Sequence, residues 1–294
     1  MAVTANTTTT TNISVNAKEI DFVTRFESTW AALQEIMGIS RPIRKAPGTR
    51  LVAANATIDL QNGLVAEGDE VPLSQATVTP AAFADLKFSK YRKRVTVEAV
   101  DKYGAAIAVQ KTDDAMLGEI TGEIMDRFYT FALTGTLGTS ESYDGFQMAL
   151  AMAIGLVKDE FKKLHLEHGA VVAFVNTLDL YSYLGGAAIS IQNKYGIEYL
   201  KDFLGADVVI VSSEIPRGKV VATPASNINL YYADPTDDDF KELGLEYTTS
   251  NSPVRLIGVH KEGVYGRVSG DTHAIVAMEL FAEYLNGIAV VSFT

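Results

Sequence analysis

The segment 49–97 places the strongest limit on how this chain can fold. It has β character, but its apolar residues are too scattered to line one continuous core. The residues Thr49–Leu60 predict a strand, and Asn62-Gly63 is a strong turn signal. A second strand is predicted to return through three spaced residues, Leu86, Phe88 and Tyr91. A hairpin of this length is unusual inside a compact domain, so we expect it to protrude and to be covered by neighbouring molecules.

Composition narrows the classes of protein that this chain can belong to. Hydrophobic residues make up 47% and charged residues 21%, which is typical of globular proteins. The sequence contains no apolar run of about 18 residues that would span a membrane, and its first residues do not form a secretory signal. The net charge of -11 disfavours binding to nucleic acid. Cysteine is absent, which excludes disulfides and thiolate chemistry and fits a reducing cytosol.

The N-terminal region predicts an arm followed by a helix. Residues 1–15 are rich in Thr, Asn and Ala without an apolar period, which predicts a flexible arm. Asn16 can cap the helix and Gly38 can end it. Its apolar stripe contains Phe22, Phe26, Trp30, Leu33 and Ile36. Because only a proline-containing loop joins this helix to the rest of the chain, it must dock either on its own core or on a neighbouring molecule.

The rest of the chain alternates helices and strands. A long helix is predicted to begin at Thr112 as its cap and to end at Gly135, with Asp113 and Asp114 in its first turn. The Gly-, Thr- and Ser-rich link 134–142 predicts a domain boundary. The next predicted elements are a helix from about Tyr143 to Leu164, a strand Ala170–Val175, a short helix from Thr177 and a strand Val208–Ser212.

The closing stretch, Val254 to Thr294, is predicted as strands with Asn286-Gly287 as a hairpin turn. The segment Met278–Leu285 is also compatible with a helix.

A search for catalytic or metal-binding groups finds little. His165 and His168, with Glu167 between them, are ligand types for a metal, but no second cluster completes a site. The acidic run 237–239 lacks the alternating ligands and bent loop of a calcium site. Phosphate-binding, dinucleotide-binding, nucleophile-elbow and zinc-protease motifs are absent. We therefore expect no catalytic residues, no cofactor and no metal.

One basic cluster interrupts the acidic background. Its members lie in the predicted returning strand: Lys87, Lys90, Arg92, Lys93 and Arg94. With Phe88 and Tyr91 between them, these residues are compatible with nucleic-acid binding. They are also typical of a guard on an exposed sheet edge, or of a surface that meets acidic patches on a neighbouring copy.

The order of these pieces resembles a known family. An arm and helix precede a long hairpin containing AEGDEVPLS, then YRKRVTVEAVDKYG runs into TDDAMLGEITGEIMDRF, and the chain closes with GVYGRVSGDTHAIVAMELFAEYLNGIAVVSF. From about residue 16 onward, this order is similar to that of the major capsid proteins of tailed bacteriophages (Caudoviricetes).

The resemblance implies an α+β fold with four parts. These are an N-terminal arm and helix (1–39), an extended hairpin or E-loop (40–97), a peripheral domain with a long spine helix (98–137 and 252–294) and an axial domain (138–251). It implies self-assembly as hexamers and pentamers into an icosahedral shell around phage DNA, which is not bound by sequence. A net negative chain suits such a wall, although the charge also fits simple solubility.

The resemblance also implies partners and a location. Assembly would take place in the host cytoplasm and end in the virion, with a portal protein and, in some relatives, decoration proteins. The chain has no room for an N-terminal scaffolding domain, so either scaffolding comes from a separate protein or the chain is already the processed form, and the opening Met1 favours a separate scaffold.

Contacts between subunits are expected at Lys87, Lys90, Arg92, Lys93, Arg94, Glu67, Asp69, Glu70 and Trp30. Some relatives join an E-loop lysine to an asparagine of the next subunit. Lys87, Lys90 and Asn286 are the right residue types, but no local motif identifies them, so no crosslink is predicted. Two alternatives remain: an encapsulin-type nanocompartment, and an enzyme built on the α/β segment 138–251.

Overall fold

The computed structural model describes residues 17–38, 42–185, 191–194 and 197–294, so the predicted arm and the cap at Asn16 lie outside the described residues. The described part contains six α-helices: α1 Ala17–Met37, α2 Val97–Tyr103, α3 Thr112–Ala132, α4 Phe146–Lys163, α5 Thr177–Leu184 and α6 Asp238–Glu242. Within that part, no helix has the length and apolar character needed to cross a membrane.

The strands are β1 Ile43–Arg44, β2 Arg50–Asp59, β3 Gln75–Asp85, β4 Ser89–Thr96, β5 Ser142–Tyr143, β6 Val171–Asn176, β7 Gln192–Lys194, β8 Ile197–Phe203, β9 Ala206–Ser212, β10 Lys219–Pro224, β11 Ile228–Tyr232, β12 Ile257–Val264, β13 Ser269–Val276, β14 Met278–Ala282 and β15 Ala289–Phe293. They form a seven-stranded sheet in the order β5-β15-β10-β6-β9-β8-β7, two three-stranded sheets, β1-β11-β14 and β12-β13-β4, and the two-stranded hairpin β2-β3. This mixture of helices and sheets confirms the predicted α+β class.

The seven-stranded sheet has an apolar core on each face. Strand β6 is buried along its whole length, and successive side chains of a strand point to opposite faces. Val171, Ala173 and Val175 therefore join the cluster under α4. Val172 and Phe174 join the larger cluster that also contains the apolar sides of α1 and α3. The sheet thus separates α4, on one face, from α1 and α3 on the other.

The C-terminal strand belongs to this same sheet. Strand β15 pairs antiparallel with β10, with Val290 opposite Val221. A Cβ atom on Gly135 would lie 2.7 Å from the Ile288 carbonyl oxygen, so the link after α3 runs against the start of β15. The seven-stranded sheet thus joins the middle of the chain to its end.

Helix α1 docks on the core of its own chain, which is the first of the two predicted alternatives. Phe22, Phe26 and Trp30 are each at most 1% exposed. The buried carboxylate of Glu19 fixes the start of the helix: it accepts hydrogen bonds from the Lys261 backbone N–H at 2.6 Å and from the Thr248 hydroxyl at 2.5 Å. No neighbouring molecule is needed to bury this helix.

Asn62-Gly63 does not form the predicted hairpin turn, although Asn62 makes a local turn in which its Oδ1 accepts a hydrogen bond from the Leu64 N–H at 3.0 Å. The two hairpin strands stop at Asp59 and Gln75, and a long connection separates them. The tight turn in that connection lies further along, where the Asp69 N–H donates to the Ala66 carbonyl at 3.1 Å.

The single predicted returning strand is two strands. Strand β3 pairs with β2 and ends at Asp85. After a three-residue break around the buried Leu86, β4 pairs with β13 in a different sheet. The basic residues from Lys90 to Arg94 therefore lie in β4 and not in the hairpin.

Two further local predictions are wrong. Thr112 does not cap α3, because a π-helical segment, Ala106–Lys111, runs directly into the helix and the Thr112 hydroxyl donates back to Ala108 and Val109 carbonyls. Asn286-Gly287 is not a hairpin turn. It lies in a 3₁₀ turn between β14 and β15, which belong to different sheets. The segment Met278–Leu285 is mainly strand, as its first prediction had it.

Candidate assembly interface

The hairpin β2-β3 exposes apolar side chains that nothing in the described chain covers. Strands of ten and eleven residues extend over about 30 Å at the usual rise of about 3.3 Å per residue. The large apolar residues along it and its loop are strongly exposed: Ile58 65%, Leu60 77%, Leu64 91%, Val71 62%, Leu73 93% and Val78 65%. An apolar surface of this extent is typical of a protein-protein contact. Isolated two-stranded hairpins are at best marginally stable in water, so a neighbour would also stabilise this one.

The root of the hairpin is held firmly by the body of the chain. Leu51 packs with Tyr231 and Phe281 in a small apolar cluster. The Gly48 N–H donates to the Leu86 carbonyl at 2.8 Å, and the Leu86 N–H donates to the Thr49 carbonyl at 3.0 Å. The hairpin thus projects from a fixed base.

The loop of the hairpin carries the predicted acidic contact residues. Glu67, Asp69 and Glu70 are exposed, each beyond the ends of the paired strands. At the other end, Lys87 pairs with Asp85 at 2.9 Å, and Lys90 is exposed. The structure therefore presents acidic groups in the loop of the hairpin and basic groups near its root, which is a favourable arrangement for contacts between copies.

Two arginines of β4 converge on one buried carboxylate. Arg94 donates to Asp271 through Nε at 2.6 Å and through Nη2 at 2.7 Å, and Arg92 donates through Nε at 2.7 Å. The Asp271 side chain is 0% exposed. The hydrogen bonds from Arg94, joined by those from Arg92, hold the pKa of the Asp271 carboxyl well below its usual range, even though burial acts in the opposite direction.

Two lysines converge on a second buried carboxylate at the start of α3. Asp113 forms ion pairs with Lys93 of β4 and with Lys261 of β12, the latter at 2.9 Å. Lys93 also donates to the Thr112 hydroxyl at 2.7 Å and to the Val109 carbonyl at 3.3 Å. Lys93 therefore ties the π-helical segment and the start of α3 to the sheet.

These ion pairs bear on the predicted basic contact surface. Arg92, Lys93 and Arg94 form ion pairs within their own chain, whereas Lys90 extends from the same strand into solvent. Trp30 is 0% exposed inside its own core, which removes it from any surface between copies. A contact between subunits at the other predicted residues stays a prediction.

Sequence reasoning missed the acidic partners and part of the apolar surface. Asp271 and Lys261 lie far from the basic cluster in sequence and are brought near it by strand pairing, whereas Asp113 reaches it from the start of α3. Leu60, Leu64 and Leu73 did carry a signal, because they are isolated leucines in an otherwise polar stretch.

The described residues contain one group of possible metal ligands, Glu262, Asp271 and His273. His273 Nε2 lies 3.2 Å from Glu262, but Asp271 is already held by two arginines. Two positive charges at this position oppose a cation. The earlier candidates, His165 and His168 with Glu167, are not brought together as such a group in the described chain.

Comparisons with known proteins bear on the fold. No protein-family model and no curated protein matches the sequence. Among solved structures, the "Cyanophage A-1(L) capsid asymmetric unit" matches with a TM-score of 0.52 at 11% identity, over 98% of both chains. The "Capsid of native GTA particle" matches with a TM-score of 0.53 at 9% identity, over 90% of both chains.

An encapsulin is also similar. The holo-SrpI encapsulin complex from Synechococcus elongatus PCC 7942 matches with a TM-score of 0.50 at 10% identity, over 98% of this chain and 92% of that one. At such identities the likeness establishes the fold. This chain has the α+β fold of phage capsid proteins, a fold that the encapsulin shares.

Proposed function

We propose that this chain is the major capsid protein of a tailed bacteriophage, a structural subunit and not an enzyme. Copies of it would assemble as hexamers and pentamers into an icosahedral shell around the phage DNA. The observation that carries the proposal is the apolar hairpin β2-β3, whose residues Ile58, Leu64 and Leu73 are 65–93% exposed in a chain with a capsid fold. Burial against a second copy would remove this surface from water.

The proposal divides the chain as the resemblance did. The N-terminal arm and helix occupy 1–39, the E-loop 40–97, the peripheral domain 98–137 and 252–294, and the axial domain 138–251. The strand pairing crosses this division, because β15 of the proposed peripheral domain lies in the seven-stranded sheet with strands of the axial segment. A separate scaffolding protein, a portal protein and decoration proteins are the proposed partners, with assembly in the host cytoplasm and the virion as the final location.

The first experiment measures particle formation. The chain is produced in bacterial cytosol alone and with its scaffolding protein, and the products are examined by sedimentation and electron microscopy. We expect closed particles of megadalton mass from the 31.8 kDa subunit. A monomer or dimer under all these conditions would contradict the proposal.

The second experiment tests the hairpin with the double variant Leu64→Ser and Leu73→Ser. Both side chains are more than 90% exposed, so the free energy of unfolding of the unassembled chain should change by less than about 0.5 kcal/mol. Particle yield should fall at least tenfold, because each serine removes apolar contact area from the interface. Leu243→Ser is the matched control: Leu243 is 75% exposed but lies outside the hairpin. Equal yields from the two variants would exclude a role for the hairpin.

A nanocompartment of the encapsulin type is the second candidate, supported by the structural likeness to the SrpI encapsulin. The contents of purified particles separate the two. Packaged DNA, released by denaturation and digested by nuclease, supports a phage capsid. An enclosed protein other than the scaffolding protein, without DNA, supports a nanocompartment.

A further inference from the structure

Helix α2 and the turn between β12 and β13 form an exposed tip at one end of the three-stranded sheet. The Val97 N–H donates to the Val268 carbonyl at 3.1 Å, which joins the two segments. We use "the tip" for residues 97–103 and 265–268. All seven residues of α2 are exposed or half-exposed. Four large apolar side chains of the tip face solvent: Val97 54%, Tyr103 56%, Tyr265 95% and Val268 58%.

Val268 has an unfavourable backbone conformation as well as an exposed apolar side chain. Its φ is 46° and its ψ 53°, which is the left-handed region. A β-branched residue in this region is an outlier, and such strain is concentrated at functional positions. Neither burial nor a relaxed backbone accounts for a valine at position 268 in the isolated chain. Contact with another molecule would account for it.

A groove lies beside the tip. Its volume is about 350 Å³, and it runs between the α2 and π-helical segments and the strands β12 and β13. Its lining combines four valines, Val95, Val97, Val100 and Val109, with the polar residues Thr96, Lys261, Glu262, Asp271 and Thr272. Gly263 and Gly270, which also line it, lie opposite each other, and a Cβ atom added to Gly263 would meet open space. The groove is therefore wide enough for an apolar side chain from outside.

The charges around the tip favour a second copy of this chain as the occupant. Glu98, Asp101 and Lys102 are exposed on α2, and Arg267 is exposed in the turn between β12 and β13. A surface that carries both signs can pair with an identical surface, whereas the whole chain, at -11, would repel a copy that approached at random. A nucleic acid is disfavoured because the two carboxylates would repel its phosphates.

We infer that Tyr265 of one copy inserts into the groove of a second copy. The inference rests on the proposed function, because it supplies a second contact between shell subunits that is independent of the hairpin. Tyr265 and the groove lie side by side on one subunit but do not fill each other. Two copies can therefore exchange the contact, with each tyrosine entering the groove of the other, which is a contact between identical surfaces.

The absence of cysteine from the chain allows a direct test. Chains with Tyr265→Cys are mixed with chains with Val100→Cys during assembly, oxidised mildly and run on a non-reducing gel. Val100 lines the groove, so the two cysteines meet only if the tyrosine position of one copy reaches the groove of another. We expect a disulfide-linked band at twice 31.8 kDa, at least fivefold stronger in the mixture than with either variant alone. No excess in the mixture would overturn the inference.

A groove-filling pair of variants provides a second test. A Cβ atom added at position 263 meets no other atom within 4 Å, so Gly263→Val places a larger side chain in the groove and Gly263→Ala a smaller one. We expect particle yield to fall at least tenfold for the valine and less than twofold for the alanine, with circular dichroism spectra unchanged for both. Equal yields would overturn the inference.

The two experiments give different results if the tip contact is absent and if the shell does not form. Particles without the mixed disulfide would leave the shell function intact and remove the tip contact. The mixed disulfide without particles would retain the contact between copies and remove the shell.

Discussion

Asp271 and Asp113 are buried carboxylates that receive four cations from strands β4 and β12. Asp271 stands directly opposite Arg94 in the β13-β4 pairing, and Asp113 opens α3 between Lys93 and Lys261. A buried charge is tolerated when it is paired and hydrogen-bonded, and removing one partner leaves the other uncompensated. Asp113 therefore ties both edge strands of the three-stranded sheet, β4 and β12, to the start of α3, and Asp271 ties β13 to β4.

The depressed pKa of Asp271 predicts how stability depends on pH. A carboxyl whose folded-state pKa is below its unfolded value, about 3.9, contributes stability above about pH 4 and loses it as the pH falls through the folded-state pKa. Asp271→Asn should therefore lower the melting temperature of the unassembled chain at pH 7. The difference from the unchanged chain should shrink below about pH 4.

Circular dichroism melting between pH 2 and 7 measures this effect. Asp59→Asn, at an exposed position of the hairpin, is the control and should melt like the unchanged chain at neutral pH. A difference for Asp271→Asn that stayed constant down to pH 2 would contradict the assigned pKa shift.

A substitution at Val268 is predicted to raise the stability of the unassembled chain, whereas the Asp271 substitution lowers it. Asparagine adopts the left-handed region more readily than valine, so Val268→Asn should stabilise the unassembled chain by about 1 kcal/mol. For a chain of this size, that raises the melting temperature by about 2 °C. Val78→Asn is the matched control: Val78 is similarly exposed but lies in strand β3, where asparagine is disfavoured. A melting temperature that fell for Val268→Asn would show that the valine is favourable in its own subunit.

At the scale of elements, the sequence predicts helices and strands that have a regular apolar pattern, but it does not predict which strands pair. Helix α4 and strands β6 and β9 were predicted nearly at their observed bounds, because their apolar patterns are continuous. The break between β3 and β4 was missed. Residues on both sides of Leu86 favour strands, and only the change of partner from β2 to β13 separates them.

The start of α3 was missed for a related reason. Threonine before two aspartates is a capping pattern, but the observed Thr112 hydroxyl donates to carbonyls of the preceding π-helical segment. The tertiary contact that accompanies this arrangement, Lys93 on Val109 and Asp113, lies in another element. A local pattern does not contain that information.

Lys93 therefore yields a prediction at the element scale. Lys93→Met keeps the apolar stem but removes the charge from Asp113 and the donor from the Val109 carbonyl. Because a broken buried ion pair costs about 3 kcal/mol, the free energy of unfolding should fall by roughly that amount. Urea unfolding of the unassembled chain measures it. Lys102→Met, on the exposed face of α2, should change it by less than about 0.5 kcal/mol. Equal effects would mean that Asp113 is sufficiently compensated by Lys261.

At the scale of the whole molecule, the ion pairs change what a charge-reversal experiment can report. Reversing Arg92, Lys93 and Arg94 together would place acidic groups against Asp271 and Asp113 and unfold the subunit before assembly is tested. Lys87 and Lys90 are both exposed and can be reversed on a folded subunit, but Lys87 already pairs with Asp85. A surface role for the cluster is thus best tested at Lys90.

The proposed shell should be held by non-covalent contacts. The chain has no cysteine, and two of the three residues of the right type for a lysine-asparagine bond have partners within the chain: Lys87 pairs with Asp85, and Asn286 accepts a hydrogen bond from the Thr136 hydroxyl at 3.0 Å. Apolar contacts at the hairpin and the tip do not survive boiling in detergent. Particles treated in this way should therefore run as one band near 31.8 kDa on a denaturing gel. A ladder of multiples that persists under reducing conditions would show a covalent link between subunits, and mass spectrometry of the ladder would identify the lysine and asparagine that form it.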